Sequence, residues 1–130
     1  MRRVIAMLLL ACPLVALADG QPDSFPAATV ALLERELPQM DKAVASQDRN
    51  WFGPALERVQ GFLTEWQQRQ GPAVLDRHPA CTEAVTDFLI VGLCKISPPG
   101  SICEPETFFP KAERHIAQCR AEAASGPAKR

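Results

Sequence analysis

Four cysteines carry the most recognisable chemistry in this chain. Cys81, Cys94, Cys103 and Cys119 are separated by 13, 9 and 16 residues. A thioredoxin-type redox site and a c-type haem attachment both need a C-x-x-C pair, which these spacings exclude. Zinc modules also need close pairs of ligands, so a metal site built on these cysteines is not expected. The fifth cysteine, Cys12, lies in the N-terminal segment that is interpreted below as a signal peptide, so four remain after its removal. An even number of cysteines in an exported chain predicts two structural disulfides.

The candidates for catalysis are few. The chain has two histidines, His78 and His115. No H-E-x-x-H motif, phosphate-binding glycine loop, nucleophile elbow or pair of carboxylates accompanies them. Asp87 is the one carboxylate inside a strongly apolar segment. We interpret it as a polar residue on the exposed edge of a helix; the alternative is a buried acid with a functional role. We therefore expect no catalytic site and no enzymatic activity.

A second kind of candidate site is a cofactor-binding site inside a helical bundle. Met40 and His115 fall on the first and last predicted helices, so a Met/His pair of axial haem ligands can be drawn between them. Met40 also fits the core stripe of its helix as a packing residue. We therefore expect no cofactor and no metal, and keep a small-ligand or haem carrier that uses the bundle interior as the alternative function.

The N-terminal segment predicts export. A basic start and the apolar run VIAMLLLACPLVAL precede a small-x-small cleavage triplet at 16–18, so we interpret residues 1–18 as a signal peptide. The stretch LLAC, which ends at Cys12, also resembles a lipobox. A lipid anchor at Cys12 is not favoured, because the apolar run continues beyond it and Pro13 follows directly. The mature protein is expected to be periplasmic or secreted.

The charge and hydropathy of the remaining chain exclude some partners. Without residues 1–18, 12 basic and 15 acidic residues remain, which is a net charge of −3. A weakly acidic surface argues against nucleic acid or anionic lipid as the main partner. No later apolar run reaches about 18 residues, so no membrane span is expected.

Hydrophobic periodicity predicts four helices. In three of them, apolar residues recur at spacings of three and four, the pattern of an amphipathic helix. The stripes are Val30, Leu33, Leu37, Met40 and Val44; Leu56, Val59, Leu63 and Trp66; and Phe109, Ala112, Ile116 and Cys119. The helix that starts at Pro79 is apolar nearly all round, which predicts a central position in the core.

Proline, glycine and serine predict where these helices begin and end. Ser24 is a candidate N-cap of the first helix, and Gly71 is a candidate C-cap of the second. Pro38 predicts a kink within the first helix. Pro110 is expected near the first turn of the last helix. Residues 73–78 are expected as a plain connection.

The cysteine spacing also predicts how the disulfides pair. Cys81 and Cys94 fall in one predicted helix, roughly 20 Å apart, which is too far for a bond. When the third helix folds antiparallel onto the fourth, Cys94 comes close to Cys103 and Cys81 comes level with Cys119. The other pairing joins opposite ends of the hairpin. We therefore predict nested disulfides, Cys81–Cys119 outside and Cys94–Cys103 inside.

Two apolar features predict a protein-binding role. A loop braced by two prolines and closed by the inner disulfide is rigid before it meets a partner, which lowers the entropy cost of binding. Adjacent aromatic residues on a helix point about 100° apart, so one member of each pair is expected at the surface, where aromatic residues are favoured anchors. The candidate partner-binding residues are Trp51, Phe52, Pro98, Pro99, Phe108 and Phe109.

These observations together predict an all-α protein. We expect a small four-helix bundle with a disulfide-clamped C-terminal helical hairpin. One helical domain covers residues 19–124, and residues 125–130 form a disordered tail. The expected function is non-enzymatic binding of another protein, of the inhibitor, immunity or envelope-accessory type.

Overall fold

The computed structural model describes residues 23–126, which fold into a bundle of α-helices. No strand is formed in this range. Four long helices, a 3₁₀ turn and a one-turn helix follow in the order α1 Phe25–Ala45, 3₁₀ turn Arg49–Trp51, α2 Phe52–Gln70, α3 Val74–Arg77, α4 Pro79–Ile96 and α5 Pro105–Ala124. The predicted all-α bundle with a disulfide-clamped hairpin is confirmed.

Several of the sequence predictions concern residues beyond this range. The signal peptide assigned to residues 1–18, the lipobox at Cys12, and residues 127–130 of the expected tail lie outside the described residues. Ser125 and Gly126, the first residues of that tail, follow directly on α5.

The helix boundaries follow the predicted capping residues. Ser24 caps α1, because its side-chain oxygen accepts a hydrogen bond from a backbone amide three residues later, at 3.3 Å. Gly71 ends α2 with φ of 85°, a conformation that glycine adopts without a steric cost. Pro38 lies inside α1, which continues through it as one helix. Pro110 lies in the second turn of the last helix rather than near its first, because α5 already begins at Pro105.

Helix α3 was not predicted. Residues 73–78, expected as a plain connection, contain one helical turn. The turn is held from both sides: Val74 is fully buried, and the Thr82 hydroxyl on α4 donates a hydrogen bond to the Leu75 carbonyl at 2.9 Å. These contacts come from neighbouring helices, so the local sequence alone does not predict the turn.

Helix α4 is the centre of the bundle, as its all-round apolar sequence predicted. It packs against α1, α2, α3 and α5. Val85, Phe88 and Leu89 are buried along its length. Burial of each such side chain contributes about 1.5–3 kcal/mol, so α4 supplies much of the core that holds the other helices.

The buried faces of α1 and α2 differ from the predicted stripes. Leu33, Met40, Val59 and Trp66 are buried as expected, whereas Leu56 is 48% exposed. Other members of the two stripes are only partly buried, namely Val30, Leu37, Val44 and Leu63. An apolar stripe shows that a helix has a face to bury, but the positions of its neighbours decide which part of that face is covered.

Both disulfides have the predicted nested pairing. Cys81–Cys119 joins the start of α4 to the end of α5, with Cα atoms 4.6 Å apart. Cys94–Cys103 joins the end of α4 to the loop before α5, with Cα atoms 5.9 Å apart. The α4–α5 hairpin is therefore clamped at both ends. Two disulfides in a chain of this size indicate an oxidising environment outside the cytoplasm.

Across residues 23–126, no helix combines the length and the hydrophobicity needed to cross a bilayer.

A buried ion pair joins α1 to α2. Glu36 on α1 is only 3% exposed. Arg58 on α2 donates two hydrogen bonds to its carboxylate, from Nε to Oε1 at 3.0 Å and from Nη2 to Oε2 at 2.8 Å. These hydrogen bonds lower the pKa of Glu36 below its ordinary value, although burial acts in the opposite direction. The pair therefore keeps Glu36 ionised at neutral pH in a largely buried position.

Gly92 is the point of closest approach between α4 and its neighbours. A Cβ at this position would lie 2.6 Å from Met40 Sδ and 2.7 Å from Phe52 Cε1. The absence of a side chain therefore lets α1 and the start of α2 pack directly against α4.

The substitution Gly92→Ala should destabilise the protein. Alanine favours a helix by about 1 kcal/mol over glycine, but overpacking of a core typically costs about 1–3 kcal/mol. We expect a net loss of about 1–2 kcal/mol in the free energy of unfolding, measured by urea denaturation. The matched control is Gly61→Ala in α2, where a Cβ meets nothing within 4 Å. That change should stabilise, so equal effects at the two positions would contradict the close-approach role of Gly92.

Candidate functional site

An apolar groove of about 450 Å³ lies between α2 and α4. Its floor is formed by the buried side chains of Phe52, Val59 and Leu89. Its walls are Gly53, Leu56, Gln60 and Leu63 on α2 and Thr86, Ile90 and Leu93 on α4. None of these ten lining residues carries a charge, so the groove offers an uninterrupted uncharged surface.

The walls of the groove leave large aliphatic side chains in contact with solvent. Leu56 is 48% exposed and Ile90 is 37% exposed. Within residues 23–126, the one other large hydrophobic residue this exposed is Ile102. Two of these three residues therefore face each other across one groove. Clustering of this kind, unlike single exposed apolar residues, is typical of interaction surfaces.

The start of α2 is fixed against the end of α4 by polar and aromatic contacts. Arg49 in the 3₁₀ turn donates a hydrogen bond from Nη2 to the carbonyl of Ile96 at 2.7 Å. The ring of Trp51 meets that of Phe52 edge-on, with centroids 5.1 Å apart. These contacts hold Phe52 in the groove floor, so this end of the groove is formed before any partner arrives.

The charge next to the α2 wall of the groove is acidic. Glu57 directly follows the groove residue Leu56 on α2 and is exposed. The basic residue Arg58, which follows Glu57, is already bonded to Glu36. The uncompensated charge next to Leu56 is therefore negative.

The sequence-predicted binding residues do not form one surface. Phe52 is buried and forms part of the groove floor, whereas Trp51 is half-buried and does not line the groove. Pro98 and Pro99 are exposed in the loop after α4. The second aromatic pair lies at the same end of the hairpin as these prolines.

Phe108 and Phe109 point to different surroundings. Phe108 borders a shallow depression with Ile102 on the hairpin loop. Phe109 is half-buried; its ring lies 5.8 Å from Lys95 Nζ, in a cation–π contact, and borders a cleft beside Met40. Both phenylalanines are partly covered, so neither is a fully exposed anchor.

The haem-ligand pair drawn from the sequence is not brought together in one cavity. Met40 is 2% exposed and packs against Gly92. The cleft beside Met40, of about 170 Å³, is not lined by His115. His115 instead bonds Asp87 through Nδ1, at 2.9 Å from Oδ2.

The expectation that Asp87 lies on an exposed helix edge was wrong. Asp87 is 4% exposed. Helix α5 covers this edge of α4, and His115 on α5 provides the hydrogen-bond partner that a buried carboxylate needs.

Asp87 and His115 also belong to a cluster of three side chains that could hold a metal ion, together with Glu83. One ligand atom from each side chain lies within 4.8 Å of the other two. Within residues 23–126, this is the one such cluster. Sequence analysis missed it because the three residues are on two helices.

The second histidine forms a separate pair at the other end of α5. His78 Nδ1 and Glu122 Oε1 are in hydrogen-bond contact. They border a polar cavity of about 460 Å³ together with Arg77 and the residues around Ser24. This cavity lies close to both ends of the described chain.

Comparison with protein-family models, with curated proteins and with solved structures finds no match for this chain.

Proposed function

We propose that this chain is an exported, non-enzymatic protein that binds another protein in the α2–α4 groove. The observation that carries the proposal is the exposure of Leu56 and Ile90 on opposite walls of an uncharged groove whose floor is already packed. Export to the periplasm or secretion is supported by the signal-peptide pattern of residues 1–18 and agrees with the two disulfides.

The occupant that we propose is an amphipathic α-helix of a partner protein. Two helices packed side by side leave a groove into which the apolar stripe of a third helix can pack. The uncharged lining fits aliphatic side chains at positions i, i+3, i+4 and i+7 of such a helix. Because the exposed Glu57 directly follows the groove residue Leu56, we expect a basic residue beside that apolar stripe.

Site-specific photo-crosslinking in the source organism tests this proposal. A photoreactive phenylalanine analogue replaces Leu56, Ile90 or, as a control, Gln68, which is exposed on another face of α2. We expect one discrete adduct with a second protein from the two groove positions and none from Gln68. The absence of an adduct, the same adduct from Gln68, or an adduct of two copies of this chain would each overturn the proposal.

Charged substitutions in the groove should then abolish binding of the crosslinked partner. Loss of a central anchor residue typically costs 2 kcal/mol or more, so Leu56→Asp and Ile90→Asp should each raise Kd by at least about 30-fold. Both positions are partly exposed, so helicity by circular dichroism should be retained. Gln68→Asp is the matched control and should leave Kd unchanged. Loss of affinity on Phe108→Ser but not on Leu56→Asp would instead place binding at the hairpin loop.

A further inference from the structure

Glu83, Asp87 and His115 form a compact set of metal-ligand groups on α4 and α5, and none of the three lines the α2–α4 groove. Glu83 and Asp87 are one turn apart on α4, and His115 reaches them from α5. All three ligand atoms lie within 4.8 Å of one another. The set thus combines two carboxylate oxygens from α4 with one imidazole nitrogen from α5.

The charges of this set are incompletely balanced. Two carboxylates four residues apart on one helix repel each other. Asp87 bonds His115, but the carboxylate of Glu83 has no hydrogen bond or ion pair within residues 23–126. The Asp87 side chain is only 5% exposed, so water screens this repulsion poorly. A divalent cation between the three groups would compensate both carboxylates at once.

The disulfides hold the two helices of this site in register. Asp87 lies between Cys81 and Cys94 along α4, while His115 precedes Cys119 on α5. Because the hairpin is clamped beyond the ligands at both ends, His115 cannot slide along α4 away from the two carboxylates. A site that is held in place before the ligand arrives loses little entropy on binding.

The donor atoms select the class of metal. Ca²⁺ and Mg²⁺ prefer sites made of oxygen ligands, and Ca²⁺ takes six to eight of them. An imidazole with carboxylates suits Zn²⁺ and neighbouring divalent transition metals. Tetrahedral ligands about 2.0–2.1 Å from zinc lie about 3.4 Å from each other, so a small movement of the exposed Glu83 side chain completes the geometry. Three protein ligands leave the fourth position to water.

We propose that Glu83, Asp87 and His115 bind one Zn²⁺-class divalent metal ion between α4 and α5. Binding replaces the hydrogen bond between His115 and Asp87 by two metal–ligand bonds, with release of any proton held on the coordinating nitrogen. The ion then links the two helices at a third point between the disulfides.

Titration of the disulfide-intact protein with Zn²⁺ by calorimetry, and with Co²⁺ by visible absorption, tests this site. We expect one ion per chain, and a loss of affinity of at least about 10-fold in His115→Gln and in Glu83→Gln. The matched control is His78→Gln, because His78 pairs with the single carboxylate of Glu122. The affinity of the His78→Gln variant for Zn²⁺ should equal that of the unsubstituted protein. Loss of binding in His78→Gln, or equal affinity in His115→Gln, would overturn the proposal.

A second measurement does not depend on any variant folding correctly. In imidazole ¹H–¹⁵N spectra of the unsubstituted protein, one equivalent of Zn²⁺ should shift the ring nitrogens of His115 and leave those of His78 in place. If the ring-nitrogen signals of His115 do not shift at Zn²⁺ concentrations up to about 1 mM, the proposed site is overturned, because a Kd above that value is a very weak affinity for a protein ligand. Leu56→Asp should bind the metal normally, which separates this site from the groove.

Discussion

Replacement of both Cys81 and Cys119 by alanine is expected to lower the free energy of unfolding by about 4 kcal/mol. The bond joins residues 38 apart in the sequence, and its loss restores the conformational entropy of that loop to the unfolded chain. For a domain of about 100 residues, such a change lowers Tm by roughly 20 °C. Urea and thermal denaturation of the variant and the unsubstituted protein measure both quantities.

The inner disulfide provides the matched comparison. Cys94 and Cys103 are only 9 residues apart, so their replacement by alanine should cost less, about 3 kcal/mol. Burial also separates the two bonds: Cys81 and Cys119 are fully buried, whereas Cys94 and Cys103 are partly exposed. A mild reductant should therefore open the inner bond first, as followed by alkylation and mass spectrometry. Reduction of Cys81–Cys119 before the inner bond would contradict the clamped hairpin.

Removal of Arg58 is expected to have the second large effect. In Arg58→Met, the carboxylate of Glu36 remains buried without its two hydrogen bonds, and only the ion pair with the exposed Arg35, at 3.6 Å, is left. Loss of one partner of a buried pair costs about 3–5 kcal/mol. Arg58 is itself 43% exposed, so we expect the lower end of this range, about 3 kcal/mol at neutral pH. Urea denaturation measures the loss.

The double variant Glu36→Leu/Arg58→Met is the control for this effect. It removes both charges, so most of the lost stability should return, since apolar replacement of a buried pair is often neutral or stabilising. If the double variant is as unstable as Arg58→Met, the loss comes from packing of the Arg58 side chain and not from the two hydrogen bonds that the Glu36 carboxylate has lost.

The same pair sets an expected dependence of stability on pH. The pKa of Glu36 is lower in the folded protein than its ordinary value of 4.5. Ionised Glu36 therefore contributes its full stabilisation above about pH 4.5, and this contribution is lost as the pH falls through the folded-state pKa. The stability difference between the unsubstituted protein and Glu36→Gln should accordingly shrink in that acidic range. A difference that grows on acidification would contradict the pairing.

The fold was largely predictable because its determinants are local or follow from simple geometry. The central position of α4 follows from a sequence that is apolar all round. The disulfide pairing follows from two facts, the rise per residue of a helix and the short distance that a disulfide can bridge. Ser24 and Gly71 mark helix ends through their own backbone and side-chain chemistry.

The surface of the candidate site was less predictable. Leu56 and Leu63 have the spacing of core residues, and nothing in the local pattern shows that α4 leaves them partly uncovered. The sequence predicts that one member of the pair Trp51 and Phe52 lies at the surface, but it does not show that Phe52 lies in the floor of a groove. Exposure depends on the distance and angle between whole helices, which a periodic pattern in one helix does not contain.

The sequence by itself therefore determined the helical class, the start of α1 and the end of α2, the central helix and the nested disulfides, since each depends on residues near one another or on fixed helix dimensions. Only the tertiary structure decided that Asp87 is buried, that His115 bonds it, and that Leu56 and Ile90 line one groove. The physical reason is that these side chains meet through the packing of separate helices, and helix periodicity specifies that a face is buried without specifying which neighbour covers it.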